Sequence, residues 1–349
     1  MDLGKKIKQL RFKAGLTQEQ LAEKLGIGAQ SVSKWENAVA MPDITTLPLL
    51  SEIFGVSIDD LFDLTVNQRL NRIESRMDAE EELPADVFRE YESFLQAELN
   101  DDANRKRANE LIAYLYWHRS NSEGRKAARY AKEAIRRAPD EKNCQWILGK
   151  TANHADWDWN MSNHSKAVSF YRELTENAPD AALPYMYLLD NLIADHRADE
   201  AEYWLERYCK LEKANPVMKS VYRAYICLAR FDAPAGDRII EDLLSAQPDN
   251  DAVLFEAAQY YAAKAEYKKA LDIYERAFAA DTARPRFQDA LDAVADIYEI
   301  MGDNVNAAKT YGRIVDLLEN EWGLSEETDS SVGWAKKEKA RLEALAKGI

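Results

Sequence analysis

Cysteine and histidine are scarce in this chain, with three and four residues among 349. Cys144, Cys209 and Cys227 lie far apart, are odd in number and form no C-x-x-C pair. That excludes a disulfide or zinc framework and leaves reduced, buried thiols as the expectation. No apolar run approaches the ~20 residues needed to cross a bilayer, so no membrane partner is expected. The N-terminus opens on a charged helix and no signal peptide is evident, so a cytoplasmic location is expected. Nucleotide and hydrolase signatures are also missing: there is no GxGxxG, Walker loop, HExxH or GxSxG, and no nucleophile has a base beside it. An enzyme is not expected, and no cofactor is implied. One segment, 154–164, gathers His154, Asp156, Asp158 and His164, but its spacing matches no strong zinc signature. It reads as a structural or loop segment, with no metal.

What is present is concentrated near the N-terminus. The run Leu16 to Glu36, LTQEQLAEKLGIGAQSVSKWE, reads as two short helices joined by a tight turn. Thr17 is a good N-cap, and Gln20 three residues later completes a capping box. Leu21 and Leu25, with Ala22 beside them, give the first helix an inward stripe. Gly26 and Gly28 punctuate the turn, where positive φ is expected. A second helix begins near Ala29, with Val32 and Trp35 or Glu36 facing back. Its outward side then shows Ala29, Gln30, Ser33 and Lys34. Such a pair presents one helix to the DNA major groove.

Residues 4–63 resemble the Cro/repressor-type helix-turn-helix family through LRFKAGLTQEQLAEKLG, SVSKWENA and MPDITTLPLLSEIFGVSIDDLF. The resemblance implies a five-helix domain and covers about a sixth of the chain. It further implies phosphate contacts from Thr17, Gln18 and Asn37, base contacts from Ala29, Gln30, Ser33 and Lys34, and an internal Arg11–Glu36 pair. The chemistry agrees: Gln pairs with adenine N6/N7, Lys donates to guanine O6/N7, and the Ala methyl suits thymine. Solvated surface is the alternative for Gln30 and Lys34, and domain packing is the reading for Trp35. Three positions depart from the family. Gly28 still works as a cap, Ala29 deletes one reader, and Ala38 replaces a common helix-ending glycine. Pro48 places the start of the fourth helix nearer Thr45 or Thr46 than Asp43.

Charge divides unevenly. Residues 1–42 hold seven basic and four acidic side chains, a net +3, so the remainder carries −18 of the total −15. A small basic surface on an acidic body implies modest, salt-dependent non-specific DNA affinity, with the acidic part directed away from the duplex.

From about residue 85, helical periodicity is nearly continuous and no strand alternation is convincing. Segments recur at roughly 34 residues and resemble tetratricopeptide repeats. In 251–282 the pattern is Leu254, Ala258 and Tyr261, then Ala270, Tyr274 and Ala277; in 288–314 it is Leu291, Ala295, Tyr298, Gly302, Ala307 and Tyr311. Pro139, Pro179, Pro216 and Pro248 fall at similar stations after the second helix of a pair. Six repeats are expected, at 108–141, 142–180, 182–215, 217–250, 251–284 and 288–320. Stacking them supplies the core and creates a concave groove. Residues 334–347 read as a capping helix. The predicted division is 1–65 for DNA binding, 66–84 for a connector helix whose pairing in a dimer stays open, and 85–349 for the repeats. The fold class is all-α.

Asp289, Asp292, Asp296 and Glu299 fall on one helical stripe. They read first as a solvated acidic face and second as a seat for a basic peptide. Equivalent stations elsewhere give Tyr116, Tyr225, Phe255 and Gln259, a mixture suited to an extended peptide. The combination is similar in architecture to bacterial peptide-pheromone receptors. It implies a homodimeric, sequence-specific regulator of transcription on double-stranded DNA whose repeats sense a peptide or protein. The alternative is an interaction scaffold that its N-terminal domain only localises to DNA.

Overall fold

The computed structural model describes residues 3–56, 58–62, 65–140, 142–152 and 163–348. The chain divides into two compact units, 1–152 and 153–349. The described residues contain helices and no strand. Among them no helix is long and apolar enough to cross a membrane. His154, Asp156 and Asp158 lie outside the described residues.

The first unit begins with α1 (Leu3–Lys13), α2 (Gln18–Leu25), α3 (Ala29–Glu36), α4 (Leu47–Phe54) and α5 (Ile58–Leu61). Ile7, Leu21, Val32, Leu50 and Leu61, all fully buried, are the centre of their common core. Gly4 lets α1 approach α3 closely, since a Cβ there would lie 1.9 Å from the Trp35 carbonyl oxygen. The expected Thr17–Gln20 capping box starts α2, and Gly26 ends it at φ 67°. Gly28 differs from expectation. Its φ is −77° because it is the extended N-cap of α3 and not a left-handed turn residue. The helix exits through Ala38 at φ 56°, where a glycine would sit without strain. Asp43 and Thr46 share the start of the fourth helix. Asp43 caps a 3-10 turn over Ile44–Thr46, and α4 then follows with Pro48 in its first turn.

The unit continues with α6 (Val66–Ala79), α7 (Ala85–Glu98), α8 (Arg105–Arg137) and α9 (Lys142–Thr151). Leu70, Ile73 and Met77 of α6 pack with Phe88, Tyr91 and Leu95 of α7 and Leu111 and Leu115 of α8. The expected helix pair at 108–141 is instead a single helix of 33 residues. Ser120, Asn121, Ser122 and Gly124 are weak breakers, each costing up to about 1 kcal/mol against alanine. No proline interrupts them. The stripe Leu111, Leu115, His118 and Ser122 stays buried across the would-be turn. His118 Nε2 lies 2.6 Å from the Glu80 carbonyl and Lys126 Nζ 2.5 Å from Glu82, so the acidic run after α6 is held along α8.

The second unit contains α10 (Ser165–Asn177), α11 (Ala182–Ala194), α12 (Ala198–Tyr208), α13 (Pro216–Ala229), α14 (Ala233–Ala246), α15 (Asp251–Ala263), α16 (Tyr267–Ala280), α17 (Asp289–Ile300), α18 (Asn304–Asn320) and α19 (Ser330–Ala346). Sequential helices pack pairwise, and α13 also touches both α11 and α15 directly. This is a tetratricopeptide-like α-solenoid. Ala258, Tyr261 and Ala270 are fully buried, with Tyr274 nearly so. Small residues let the pair close while the rings fill between pairs. Pro216 comes after the second helix α12 but at a later station than the other prolines, in the first turn of α13, where its missing N–H is harmless. The three thiols are free and half-buried rather than buried. Val332, Ala335 and Leu342 bury the stripe of α19 against the last pair.

One station recurs at the hairpin between paired helices: His196, Phe231, Ala265 and Gly302 all have positive φ, from 55° to 78°. Only one is glycine, and a side chain in that region costs about 1–2 kcal/mol. Replacing Ala265 by Gly is therefore expected to stabilise the α15–α16 hairpin by about 1 kcal/mol. Slower amide hydrogen exchange in those two helices of the full chain would check it.

Candidate nucleic-acid interface and repeat groove

The side chain that positions α3 is charged and buried. Arg11 of α1 donates through Nε to Glu36 Oε1 at 2.5 Å and through Nη2 to Oε2 at 2.9 Å. The two side chains are 6% and 1% exposed. Arg11 Nη1 also donates to the Leu16 carbonyl at 2.8 Å, and Gln18 Nε2 to Glu36 Oε2 at 2.8 Å. Burial alone would raise the Glu36 carboxyl. The bonds from Arg11 and Gln18, with the charges of Arg11 and Lys8, outweigh it and hold the group below the usual carboxylate range. The N-terminus of α2, the end of α1 and the end of α3 are thus fastened to one carboxylate.

On α3, Val32, Trp35 and Glu36 face inward. Gln30 and Lys34 are exposed, and neither side chain has an ion pair or hydrogen bond among the described residues. Ser33 is half-buried. Ala29 departs from the outward set, because it is half-buried and packs against the domain core. Thr17 is exposed at the start of α2, with Gln18 half-buried beside it. Asn37 turns its amide back, donating from Nδ2 to the Ser33 carbonyl at 2.8 Å. Two long, polar side chains on α3 are therefore open to solvent, with Thr17 and Gln18 on the adjoining helix start. Sequence reasoning missed Val39, Met41 and Ile44, which follow α3 and are 72–78% exposed. Their alternation with short polar and alanine residues resembles an ordinary loop, so only accessibility reveals them.

The groove residues divide between the units. Tyr116 lies on α8 in the first unit, edge-on to Phe88 at 5.6 Å and bonded to Glu92. It is not a repeat position, because α8 is one helix. In the second unit, Tyr225 and Gln259 line a cavity of about 490 Å³. Phe255 and Asp289 line a neighbouring one of about 210 Å³. All four acidic residues of the predicted stripe are on α17. Asp289 is exposed; Glu299 is drawn to Arg341 of α19 at 2.7 Å. Asp292 is half-buried, accepts from Gln288 Nε2 at 3.0 Å and leaves its buried Oδ1 without a partner. Burial, with help from Asp289 and Asp296, pushes its carboxyl up to about 6. Burial raises Asp296 too, which counts for less because that side chain is exposed. His164 is engaged inside the unit, its Nδ1 lying 2.6 Å from Asp195 Oδ1.

Asp190, Tyr222 and Glu256 line the larger cavity and were missed. The signal existed: carrying the station of Asp296 back through Gln259 and Tyr225 reaches Asp190.

Residues 7–61 match the family described as helix-turn-helix. The chain is 43% identical over 61 residues to the HTH-type transcriptional activator BcrR of Enterococcus faecalis, a match covering 18% of this chain and 30% of that protein. It is 37% identical over 87 residues to the HTH-type transcriptional regulator ImmR of Bacillus subtilis (strain 168), covering 21% of this chain and 68% of that protein. It thus spans less than a third of the first relative's length. A solved structure of Bacillus thuringiensis PlcR in complex with the peptide PapR7 and DNA is 14% identical, covers 99% of this chain and 95% of its own, and has a TM-score of 0.19. A TM-score of that size decides nothing about this chain.

Removing one member of the buried pair, as in Glu36→Gln, is expected to destabilise the N-terminal five helices by about 3–5 kcal/mol. The double change Arg11→Met with Glu36→Leu should recover most of that loss. Hydrogen exchange of amides 3–62 in the full chain checks both.

Proposed function

The chain belongs to the Cro/repressor-type helix-turn-helix family of transcriptional regulators, and from that premise we propose that it binds double-stranded DNA sequence-specifically as a homodimer. Gln30 and Lys34 read base edges, with Ser33 and the Ala29 methyl beside them. Thr17, Gln18 and Asn37 meet phosphate, Asn37 after releasing its bond to Ser33. The observation that carries the reading is the pair of exposed, unengaged side chains on α3, whose opposite face is fixed by the buried Arg11–Glu36 bond. Two copies place their α3 helices in half-sites about 34 Å apart. Val39, Met41 and Ile44 are the side chains of this domain most in need of cover, and dimer contact there supplies it. Functionally, residues 1–65 bind DNA, 66–84 connect and 85–349 sense a peptide or protein ligand. The support for sensing is the cavity bearing Tyr225 and Gln259 beside the acidic stripe of α17. A ligand there shifts DNA binding only if its affinity differs between the states it connects.

Selection from random duplexes should enrich an inverted repeat; enrichment of no motif would favour the interaction scaffold. On the selected duplex, Gln30→Ala and Lys34→Ala are each expected to cost about 1–3 kcal/mol of discrimination. Undiminished selectivity in a gel-shift assay would reject them as readers.

A further inference from the structure

The cavity of about 490 Å³ in the second unit has a composition that names its occupant. Its walls come from α11, α13 and α15. Leu183, Met186, Ile193, Met218 and Val221 supply apolar surface, and Tyr187 and Tyr225 supply ring surface. Into this wall are set two carboxylates, Asp190 and Glu256, and among the described residues no Lys, Arg or His lines it.

Three half-buried carboxylates of the same unit have cations, whereas Asp292 of α17 has none among the described residues. Asp237 is 2.5 Å from Lys264, Glu275 is 2.7 Å from Arg313, and Glu321 is 2.5 Å from Arg286. Asp190 has only the Tyr222 hydroxyl, which donates to Oδ1 at 2.9 Å. Glu256 has no hydrogen bond or ion pair among the described residues. Burial raises both carboxyls, which counts for less at Asp190 because that side chain is exposed, and the charge of Asp190 raises half-buried Glu256 further. Neither has a cation partner among the described residues. Leaving a carboxylate partly desolvated without a cation is unfavourable, and a cation brought by a ligand relieves it. The Tyr187 and Tyr225 rings add a second preference of the same sign, since aromatic faces attract cations.

We propose that this cavity seats a single cationic side chain, lysine or arginine, of an extended and otherwise apolar peptide, with the charge held between Asp190 and Glu256. The proposal rests on the reading of the repeats as a peptide-sensing surface and specifies the ligand's chemistry. The apolar walls of α11 and α13 take the aliphatic stem and the flanking residues, as long basic side chains favour. Three liganding carboxylates would suit a metal, but the described residues hold no group of three or more side chains that would bind one.

The test uses the full-length protein and two pools of capped heptapeptides, randomised over apolar residues, with a central lysine or a central norleucine. Retention of each pool is measured on the wild type, Glu256→Gln and Asp190→Asn. The lysine pool should be retained at least about tenfold better than the norleucine pool, as loss of one buried charge partner implies, and that ratio should fall towards one in both variants. Equal retention of both pools, unchanged by Glu256→Gln, would overturn the cationic seat while leaving a peptide groove standing. Retention of neither pool by the wild type would overturn the seat and the peptide-sensing reading together. Displacement of the lysine pool by micromolar spermidine would reject a peptide in favour of a free polyamine. Glu256→Gln should unfold at the same temperature or higher, since the carboxylate makes no bond; a lower temperature would mark Glu256 as structural and count against the proposal.

Discussion

The N-terminal domain depends on one buried carboxylate. Glu36 closes α3, and three nitrogen donors from Arg11 and Gln18 converge on it. Arg11 also holds the Leu16 carbonyl, so the loop between α1 and α2 joins the same network. An ion pair of this kind contributes little net stability over apolar packing, because desolvation offsets the attraction. Its contribution is directional. Apolar contacts from Val32 and Trp35 would tolerate a small rotation of α3, whereas a two-pronged guanidinium–carboxylate contact does not. The outward orientation of Gln30 and Lys34 is inherited from that geometry.

Legibility followed the range of the forces involved. The capping box at Thr17, the stripe of Leu21 and Leu25 and the inward turn of Val32 are set by residues within one or two helical turns, and the sequence pattern states them directly. Arg11 and Glu36 were reached through family resemblance, since nothing local pairs two residues 25 positions apart. The same limit explains the error at 108–141. Whether Ser120 to Gly124 breaks a helix depends on what α6 and α7 bury against it, and propensity alone does not decide. Gly28 was misread for a related reason, because a glycine can serve as an extended cap as readily as a left-handed turn.

In the repeats, the pairing of small and aromatic residues was plain while the groove was only half visible. The acidic stripe on α17 announced itself because four carboxylates share one helix. Asp190 and Glu256 belong to different helices and meet only through the stacking of α11, α13 and α15. The more obvious stripe is partly spent internally, since Glu299 is tied to α19. A solenoid assembles its ligand surfaces from single residues contributed by successive pairs, so composition within one pair understates them.

The uninterrupted length of α8 has a mechanical consequence. At a rise of 1.5 Å per residue its 33 residues make a strut about 50 Å long. Helices α6 and α7 grip its leading half and α9 its trailing half. A tilt imposed where α9 leans on it would reach α6 as a displacement amplified by leverage, with no joint between to absorb the motion.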